Sequence, residues 1–230
     1  MDMVITSDDQ NIIHAWDLST ANELYRIPKK VNADLLVFDF QGKYAAAAMW
    51  DGEIIIWDAL TGRQIAQKNI GVTIYSLSFT DDNAHLMYSA SDEPSIIIWE
   101  FTTDLESSLS TADIGNYFAD FTVSRDGKWL AADSYTEPVR LIDISSGTEI
   151  NRLINESTNG VEFSDDGKWI GFFSNNDLKV NLKIRRWNTQ DLIEELCLHL
   201  PRNFTHVEWK QYFVDEPYQA TCPNLTIPID

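Results

Sequence analysis

Residues 54–58 read IIIWD, and the same ending returns at intervals of about 42 residues. The Trp, or the Ile that replaces it, stands at positions 16, 57, 99, 142 and 187. A second signal keeps the same spacing: residues 163–169 read FSDDGKW, and related segments begin at positions 38, 79 and 123. Two independent signals with one period predict a repeat architecture, which has to be identified before any single residue is interpreted.

Each repeat unit reads as four short strands, called a to d, joined by tight turns. In the unit that begins at residue 113, strands a to d are expected at residues 118–123, 129–134, 139–143 and 149–153. The a–b turn contains Asp126-Gly127 and the c–d turn contains Ser146-Gly147. Gly suits such turns because it accepts positive φ without a Cβ clash. A four-stranded meander of this length that ends in Trp-Asp predicts a propeller blade.

These features resemble the WD-repeat β-propeller family over about residues 3–200. The resemblance implies an all-β propeller and matches Asp51 to the structural Asp of the b–c turn, whereas Asp9 and Asp92 match less well. The Gly-His dipeptide of the family is missing from every unit, so the hydrogen-bonded network that its His serves is expected to be partial. The repeated Trp side chains are interpreted as core filler rather than a stacking platform. Structural roles are assigned to Trp16, Asp51, Trp57, Trp99, Trp187 and, in the tail, Trp209.

The repeat count predicts an incomplete propeller. Four complete blades are expected at residues 31–71, 72–112, 113–155 and 156–200, and a partial first blade at about residues 1–30 supplies strands b, c and d only. Each blade face needs a neighbour. The simplest expectation is the C-terminal portion of a longer propeller, and the alternative is a strand supplied by the tail or by a second copy.

Residues 201–230 leave the repeat and predict a tail with one short helix at residues 206–213. Thr205 and Glu208 have the spacing of a capping box, and Phe204 precedes it where a hydrophobic staple would begin. We expect this helix to dock on the last blade through one aromatic face. The residues of that face are Trp209, Tyr212 and Phe213.

The tail is similar to the C-terminal segment of many bacterial, especially cyanobacterial, WD-repeat proteins. The match runs through Thr205, Glu208 and Trp209 to the Thr-Cys-Pro-Asn-Leu run that starts at Thr221, with Phe204 in place of a usual Leu. The resemblance implies a sensing or scaffolding module in a larger signalling protein. Upstream effectors in that family are NTPases of the NACHT class, TIR domains, caspase-like proteases and kinases, for which this chain could instead be a structural or autoinhibitory lid.

Composition limits the class of partner. The chain has 230 residues and a net charge of −19, which argues against binding to nucleic acid and anionic membranes. Such a charge ordinarily serves solubility, and a protein partner with a basic surface is the sharper alternative. The chain has no run of 18 apolar residues and no secretory signal at its start, so a cytoplasmic location is expected. Cys197 and Cys222 do not suggest a disulfide framework in that compartment.

No motif of catalysis stands out, and we expect neither enzymatic activity, nor a cofactor, nor a metal. The carboxylates fall mainly in turns at the phase of the repeat, where Asp favours turn geometry. His85 shares its phase with Tyr44 and Trp129, which indicates a blade position. Cys197 and His199 alternate onto one face of an expected strand, without the spacing of a common zinc site.

Recognition is expected at one end of the blades. In an antiparallel meander the a–b and c–d turns share one end, here tight and repetitive, while the b–c and d–a loops share the other and vary. We call these the repeated end and the divergent end. Divergent loops on a rigid scaffold are where recognition usually lies, although such loops also drift without function. The candidate partner-binding residues are Trp50, Asp92, Glu93, Tyr117, Tyr135, Glu137 and Asp177.

Overall fold

The computed structural model describes residues 2–27, 33–91, 93–109, 120–133, 138–153, 158–176 and 179–229. These residues form five antiparallel sheets and two helices. Sheet 1 comprises β1 (Met3–Ser7), β2 (Ile13–Asp17) and β3 (Asn22–Ile27). Sheet 2 comprises β4 (Ala33–Phe38), β5 (Tyr44–Met49), β6 (Glu53–Asp58) and β7 (Gln64–Asn69). Sheet 3 comprises β8 (Ile74–Phe79), β9 (His85–Ala90), β10 (Glu93–Glu100) and β11 (Leu105–Leu109).

The pattern continues in the second half of the chain. Sheet 4 comprises β12 (Asp120–Val123), β13 (Trp129–Asp133), β14 (Arg140–Asp143) and β15 (Thr148–Arg152), and sheet 5 comprises β16 (Thr158–Phe163), β17 (Trp169–Asn176) and β18 (Lys179–Arg186). Each sheet is a meander whose neighbours in sequence are neighbours in space, and the a strands β4, β8, β12 and β16 contact one another in succession. The predicted all-β propeller fold is confirmed.

The last unit differs from the prediction. Its expected fourth strand is a helix, α1 (Thr189–His199), so sheet 5 has three strands within the described residues. The placement of Cys197 and His199 on a strand is therefore wrong. The helix begins where the Asn188 side chain accepts a hydrogen bond of 2.8 Å from the Gln190 backbone N–H, which is a standard N-cap. Leu and Glu, which have high helix propensity, fill five of its 11 positions.

Alternation along the strands gives sheets 2, 3 and 4 two buried faces each. In β5, Ala45 and Ala47 face sheet 1, whereas Ala46 and Ala48 face sheet 3. We call the side toward the next sheet in the chain the forward face and the other the backward face. Four apolar clusters fill the successive interfaces from sheet 1 to sheet 5, so the core is a series of layers between sheets.

The repeated Trp side chains occupy backward faces. Trp57, Trp99 and Trp187 are buried against the preceding sheet, and each indole N–H has its own acceptor. Those of Trp57 and Trp99 are the Tyr25 hydroxyl at 3.0 Å and an Asp104 carboxylate oxygen at 2.9 Å. The acceptor of the indole N–H thus differs from sheet to sheet.

The turns at the repeated end follow one design, and two of them also touch the preceding sheet. Gly62 and Gly127 have φ of 70° and 67°, and Ala21 takes the same turn position as Gly62 with φ of 54°. A Cβ on Gly62 would lie 2.5 Å from the Tyr25 ring, and one on Gly127 would lie 2.2 Å from the Asp81 carboxylate. These glycines therefore permit both the turn and the close approach of two sheets.

The tail holds the second helix, α2 (His206–Phe213), with the bounds that the sequence predicts. The capping box is formed: the Thr205 hydroxyl accepts from the Glu208 N–H at 3.0 Å and Glu208 accepts from the Thr205 N–H at 2.9 Å. Trp209 is buried with its ring against Phe204 and Phe213, whereas Tyr212 is exposed. These ring contacts lie within the tail, and docking on the last blade stays a prediction.

A disulfide joins Cys197 of α1 to Cys222 of the tail. The sequence did not suggest this bond, which forms because α1 brings Cys197 beside a segment that Asn203 fixes. The Asn203 side chain donates to the backbone oxygens of Cys222 and Leu225 at 2.8 Å and accepts from the Cys222 N–H at 2.9 Å. Neither helix of the described chain is long and apolar enough to cross a membrane.

Candidate functional site

The divergent end presents one predicted residue with a described side chain. Trp50 follows β5 in the b–c turn of sheet 2, and its side chain is 64% exposed. Glu93 begins β10, where its backbone pairs with Ala90, but its side chain is outside the described part. The remaining candidates lie outside the described residues, namely Asp92, Tyr117, Tyr135, Glu137 and Asp177.

The b–c turn holds Trp50 on a well-ordered backbone. Gly52 has φ of 84° and donates its N–H to the Met49 oxygen at 2.9 Å. The Thr73 hydroxyl, from the next d–a loop, donates to the Trp50 carbonyl oxygen at 3.3 Å. The Asp51 carboxylate accepts from the Glu53 N–H at 3.3 Å, and Asp8 takes the corresponding turn role in sheet 1, where Asp9 was the sequence match. The turn therefore offers a large aromatic side chain to solvent.

A polar layer lies at the same end, between the inner strands. In sheet 2 the register pairs Leu35 with Ala48, at the end of strand b that leads into the b–c turn. The pair at that place in sheet 3 is Ser76 with Ser89, and in sheet 4 it is Asp120 with Asp133. Apolar residues at this position of the repeat have thus been replaced by hydroxyls and carboxylates. The polar layer, as we call it, consists of Ser76, Ser89, Asp120 and Asp133.

Asp120 connects three sheets. Its Oδ1 accepts hydrogen bonds from the Ser76 hydroxyl at 2.8 Å and from the Phe121 N–H at 2.9 Å. Its Oδ2 lies on the sheet 5 side, where a Cβ on Gly160 would be 3.7 Å from it. Burial raises the pKa of Asp120 above the ordinary value, although the hydrogen bonds from Ser76 and the backbone lower it in part.

Asp133 is buried directly opposite Asp120. It accepts hydrogen bonds from the Thr158 hydroxyl and, at 3.2 Å, from the Gly160 N–H of sheet 5. Ser89 is also buried, and its hydroxyl has no hydrogen-bond partner within the described part of the chain. A buried hydroxyl without a partner costs free energy, so the layer has hydrogen-bonding capacity that the described residues do not use.

Glu162 extends the acidic character along β16. It accepts from the Thr122 hydroxyl at 3.1 Å. Burial raises the pKa of Glu162, and the negative charges of Asp120 and Asp165 raise it further. The inner strands of sheets 4 and 5 therefore concentrate acceptor oxygens whose negative charge a cationic group would stabilise.

The polar layer does not have the composition of a metal site. The described residues contain no group of three or more His, Cys, Asp or Glu side chains that could hold a metal ion. The layer offers hydroxyls and carboxylates, which suit ammonium or guanidinium groups. Trp50, at the same end, can add apolar contact or a cation–π interaction.

Carboxylates at the repeated end are already used by their own turns. Asp58 accepts from the Thr61 hydroxyl at 2.8 Å, and Asp143 accepts from the Ser145 hydroxyl at 2.6 Å. These bonds hold the pKa of each Asp below its ordinary range. A hollow of about 360 Å³ between the a–b turns of sheets 4 and 5 includes Asp126 and Asp166. Both accept hydrogen bonds from their own turns, so they maintain the fold.

The tail contains a separate cavity of about 230 Å³, lined in part by Leu200, Phe204 and Cys222. Its wall includes the Arg202–Glu208 ion pair at 2.8 Å. This cavity is far in sequence from the polar layer, and its lining is mainly apolar. It belongs to the packing of the tail around Asn203 and the disulfide.

Sequence reasoning missed the polar layer although a signal for it was present. Ala48, Ser89 and Asp133 occupy one phase of the repeat, and their change from apolar to acidic is visible in the sequence. The sequence analysis placed Asp133 in a predicted strand and gave it no other role. A comparison of this position in successive repeat units shows that the repeat does not determine which residue stands there.

No protein-family model matches the chain. The chain is similar to pre-mRNA-processing factor 17 of Homo sapiens and of Mus musculus, with 22% identity over 197 residues in each case. The match covers 80% of this chain and 33% of each relative, so the chain spans about a third of the length of the curated relatives it matches.

Among solved structures, the chain is similar to the Cps50 (Swd1) β-propeller domain of Myceliophteria thermophila. The TM-score is 0.64 at 13% identity, and the match covers 81% of this chain and 68% of that one. This likeness shows the fold. The β-propeller fold is therefore shown by a solved structure as well as by the five sheets described above.

Proposed function

We propose that the chain is a non-catalytic protein-interaction module whose divergent end binds a partner with a basic surface. The proposal rests on the acidic character of this end, where Ser76, Ser89, Asp120 and Asp133 stand in the places that Leu35 and Ala48 take in sheet 2. Ser76, Ser89 and Asp133 are buried, so the layer attracts a partner through its negative charge rather than by direct contact. The exposed Trp50 lies at the same end. Aromatic side chains next to polar groups are typical of binding hot spots.

The charge of the chain supports this class of partner. A net charge of −19 attracts a basic protein surface and repels nucleic acid. For that reason the proposal does not extend RNA processing, which the name of the curated relatives mentions, to this chain. The tail resemblance supports a place in a larger bacterial signalling protein with a fused effector, as the wider context of the module.

The cytoplasmic location stays a prediction. A reducing compartment would oppose the Cys197–Cys222 bond. Trapping free thiols at lysis, followed by mass spectrometry of the tail peptides, measures the oxidation state of this pair directly. A fully oxidised pair in cells would contradict a reducing location.

The test compares two exposed apolar side chains at opposite ends of sheet 2. Trp50→Ala changes the divergent end, and Leu60→Ala is the matched control in the c–d turn of the repeated end. The full chain, wild type or variant, serves as bait for host proteins, and binding is titrated directly with a short Lys/Arg-rich peptide and with an acidic peptide of equal length. Circular dichroism checks the fold of each variant.

We expect Trp50→Ala to weaken binding of the basic peptide by about 30-fold, which is the scale of a hot-spot side chain. Leu60→Ala should leave binding unchanged, and added salt should weaken it in the wild type. Equal binding of both peptides, or loss of binding in the Leu60 variant alone, would refute the assignment of the basic partner to the divergent end.

A further inference from the structure

The forward face of sheet 5 is an exposed apolar surface. Trp169, Phe173, Leu182 and Ile184 are 38%, 46%, 58% and 60% exposed. The register pairs Phe173 with Leu182, and Gly171 with Ile184, so these side chains share one side of the sheet. Apolar patches of this kind on a folded chain usually mark an interaction site.

The equivalent positions of sheets 2 and 4 are completely covered, and Ile98 of sheet 3 is partly buried. In strand c of sheet 2, Ile54 and Ile56 occupy the places of Leu182 and Ile184, and both are 0% exposed because sheet 3 packs on them. Leu141 of sheet 4, which pairs with Ala131 in the same way, is also 0% exposed. The forward face of sheet 5 has the chemistry of an interface, and no sheet among the described residues covers it.

The aromatic residue that begins strand b shows the same difference. The Trp129 ring of sheet 4 meets Trp187 of sheet 5 edge to face, with centroids 5.5 Å apart. Trp169 begins strand b of sheet 5, and the Arg186 guanidinium lies 4.8 Å from its ring centroid. The cation covers one face of the ring, and the side chain stays more than a third exposed.

Helix α1 enlarges this surface. Arg186 forms an ion pair of 3.2 Å with Glu195, which holds α1 beside the forward face. No side chain of α1 is buried, and Leu192, one turn from Glu195 on the same side of the helix, is exposed together with Leu196. With side-chain areas on the order of 150–250 Å², the four sheet residues expose about 400 Å² and the leucines add about half as much.

We propose that this forward face is a self-association surface, on which the same face of a second copy packs about a two-fold axis. Two such surfaces together remove about 1,200 Å² from water, which reaches the lower bound of a stable interface. A two-fold interface joins identical patches, so apolar side chains meet apolar side chains on both copies.

The opposite end of the sheet series excludes a head-to-tail arrangement. The backward face of sheet 1 carries His14, whose ring nitrogens lie 3.1 Å from an Asp8 oxygen and 2.9 Å from a Glu23 oxygen. The Trp16 indole N–H donates to the Thr6 hydroxyl at 2.9 Å on the same face. Packing Leu182 and Ile184 against these charged groups would remove them from water without supplying hydrogen bonds.

The experiment measures the mass of the full chain by analytical ultracentrifugation over a concentration series that reaches about 100 μM. The wild type should approach twice the chain mass of 26.3 kDa. The double variant Leu182→Lys with Ile184→Lys should sediment at the chain mass, since symmetry introduces each charge twice and raises the dissociation constant by about 30-fold or more. Ile184→Gln is the milder variant if circular dichroism shows that the double variant is misfolded.

The matched control is Val4→Lys with Leu24→Lys, which changes two partly exposed apolar residues of sheet 1. This control should keep the wild-type mass. Dissociation of the control would indicate a head-to-tail assembly and overturn the two-fold interface. A wild-type chain that stays monomeric throughout, or a dimer that survives the changes at Leu182 and Ile184, would overturn the proposal as well.

Discussion

Removing the Trp209 side chain should unfold the tail while leaving the sheets intact. The indole is buried against Phe204, Phe213 and Tyr218, and its N–H donates to the Glu216 oxygen at 3.1 Å. A buried area of about 150–250 Å² at about 25 cal/mol per Å² gives about 4–6 kcal/mol as an upper value. Measured Trp→Ala changes in cores cost about 3–5 kcal/mol, so we expect Trp209→Ala to remove about 4 kcal/mol from the local stability of the tail.

Hydrogen exchange followed by mass spectrometry resolves this effect by segment. Peptides from residues 203–226 should lose protection in Trp209→Ala, and peptides from β17 and β18 should keep it, since the ring contacts of Trp209 lie within the tail. Tyr212→Ala is the matched control on the same helix, because Tyr212 is exposed and should cost less than about 1 kcal/mol. Simultaneous loss of protection in sheet 5 would show that α2 docks on the blade and that local packing is the wrong account.

Three further changes test the electrostatics and the cross-link. Burial raises the pKa of Asp120, so the contribution of this residue to the unfolding free energy should fall as pH rises above about 4. Denaturation curves should therefore show that Asp120→Asn gains stability relative to the wild type between pH 4 and pH 7. The Arg202 ion pair and the Thr205 N–H lower the pKa of Glu208 to about 2. The contribution of Glu208 to the stability of the tail is therefore fully present above the ordinary pKa of Glu, and it is lost as pH falls toward 2. Tail protection should show this acid-induced loss in the wild type and lack it in Glu208→Gln. Cys197→Ser opens the loop that the disulfide closes and should destabilise the tail by about 3 kcal/mol, seen as faster proteolysis of the tail, and an unchanged cleavage rate would contradict this.

Local signals predicted what local physics determines. The bounds of α2 follow from the Thr205–Glu208 capping box, in which four consecutive residues contain all the hydrogen-bonding groups. The positive φ of Gly127 and of Ala21 follows from repeated turns whose residues are adjacent in sequence. Strands were predicted well in the units that carry both repeat signals, the Trp-Asp ending and the Asp-Gly turn segment.

The failures have two physical causes. The strand expected around Cys197 was extrapolated from the repeat, whereas the Asn188 cap and the spacing of Leu192 and Leu196 favour a helix in that segment. The disulfide and the polar layer depend on tertiary contacts. Asn203 holds the segment that places Cys222 beside Cys197, and Asp120 bonds to Ser76, which lies 44 positions away in sequence. In both cases the two partners lie too far apart in sequence for a local pattern to predict their contact.

The contacts of Gly62 and Gly127 with the preceding sheet bear on how this array can change by recombination. Gly62 fits because Tyr25 stands in the blade before it, and Gly127 fits because Asp81 does. A duplicated or transplanted blade would bring its glycine against a different side chain, and the Tyr or Asp left behind would face a different turn. Each of these two turns is therefore fitted to the side chain of the blade before it. An insertion that carries at least two consecutive blades would keep such a turn together with its matching side chain.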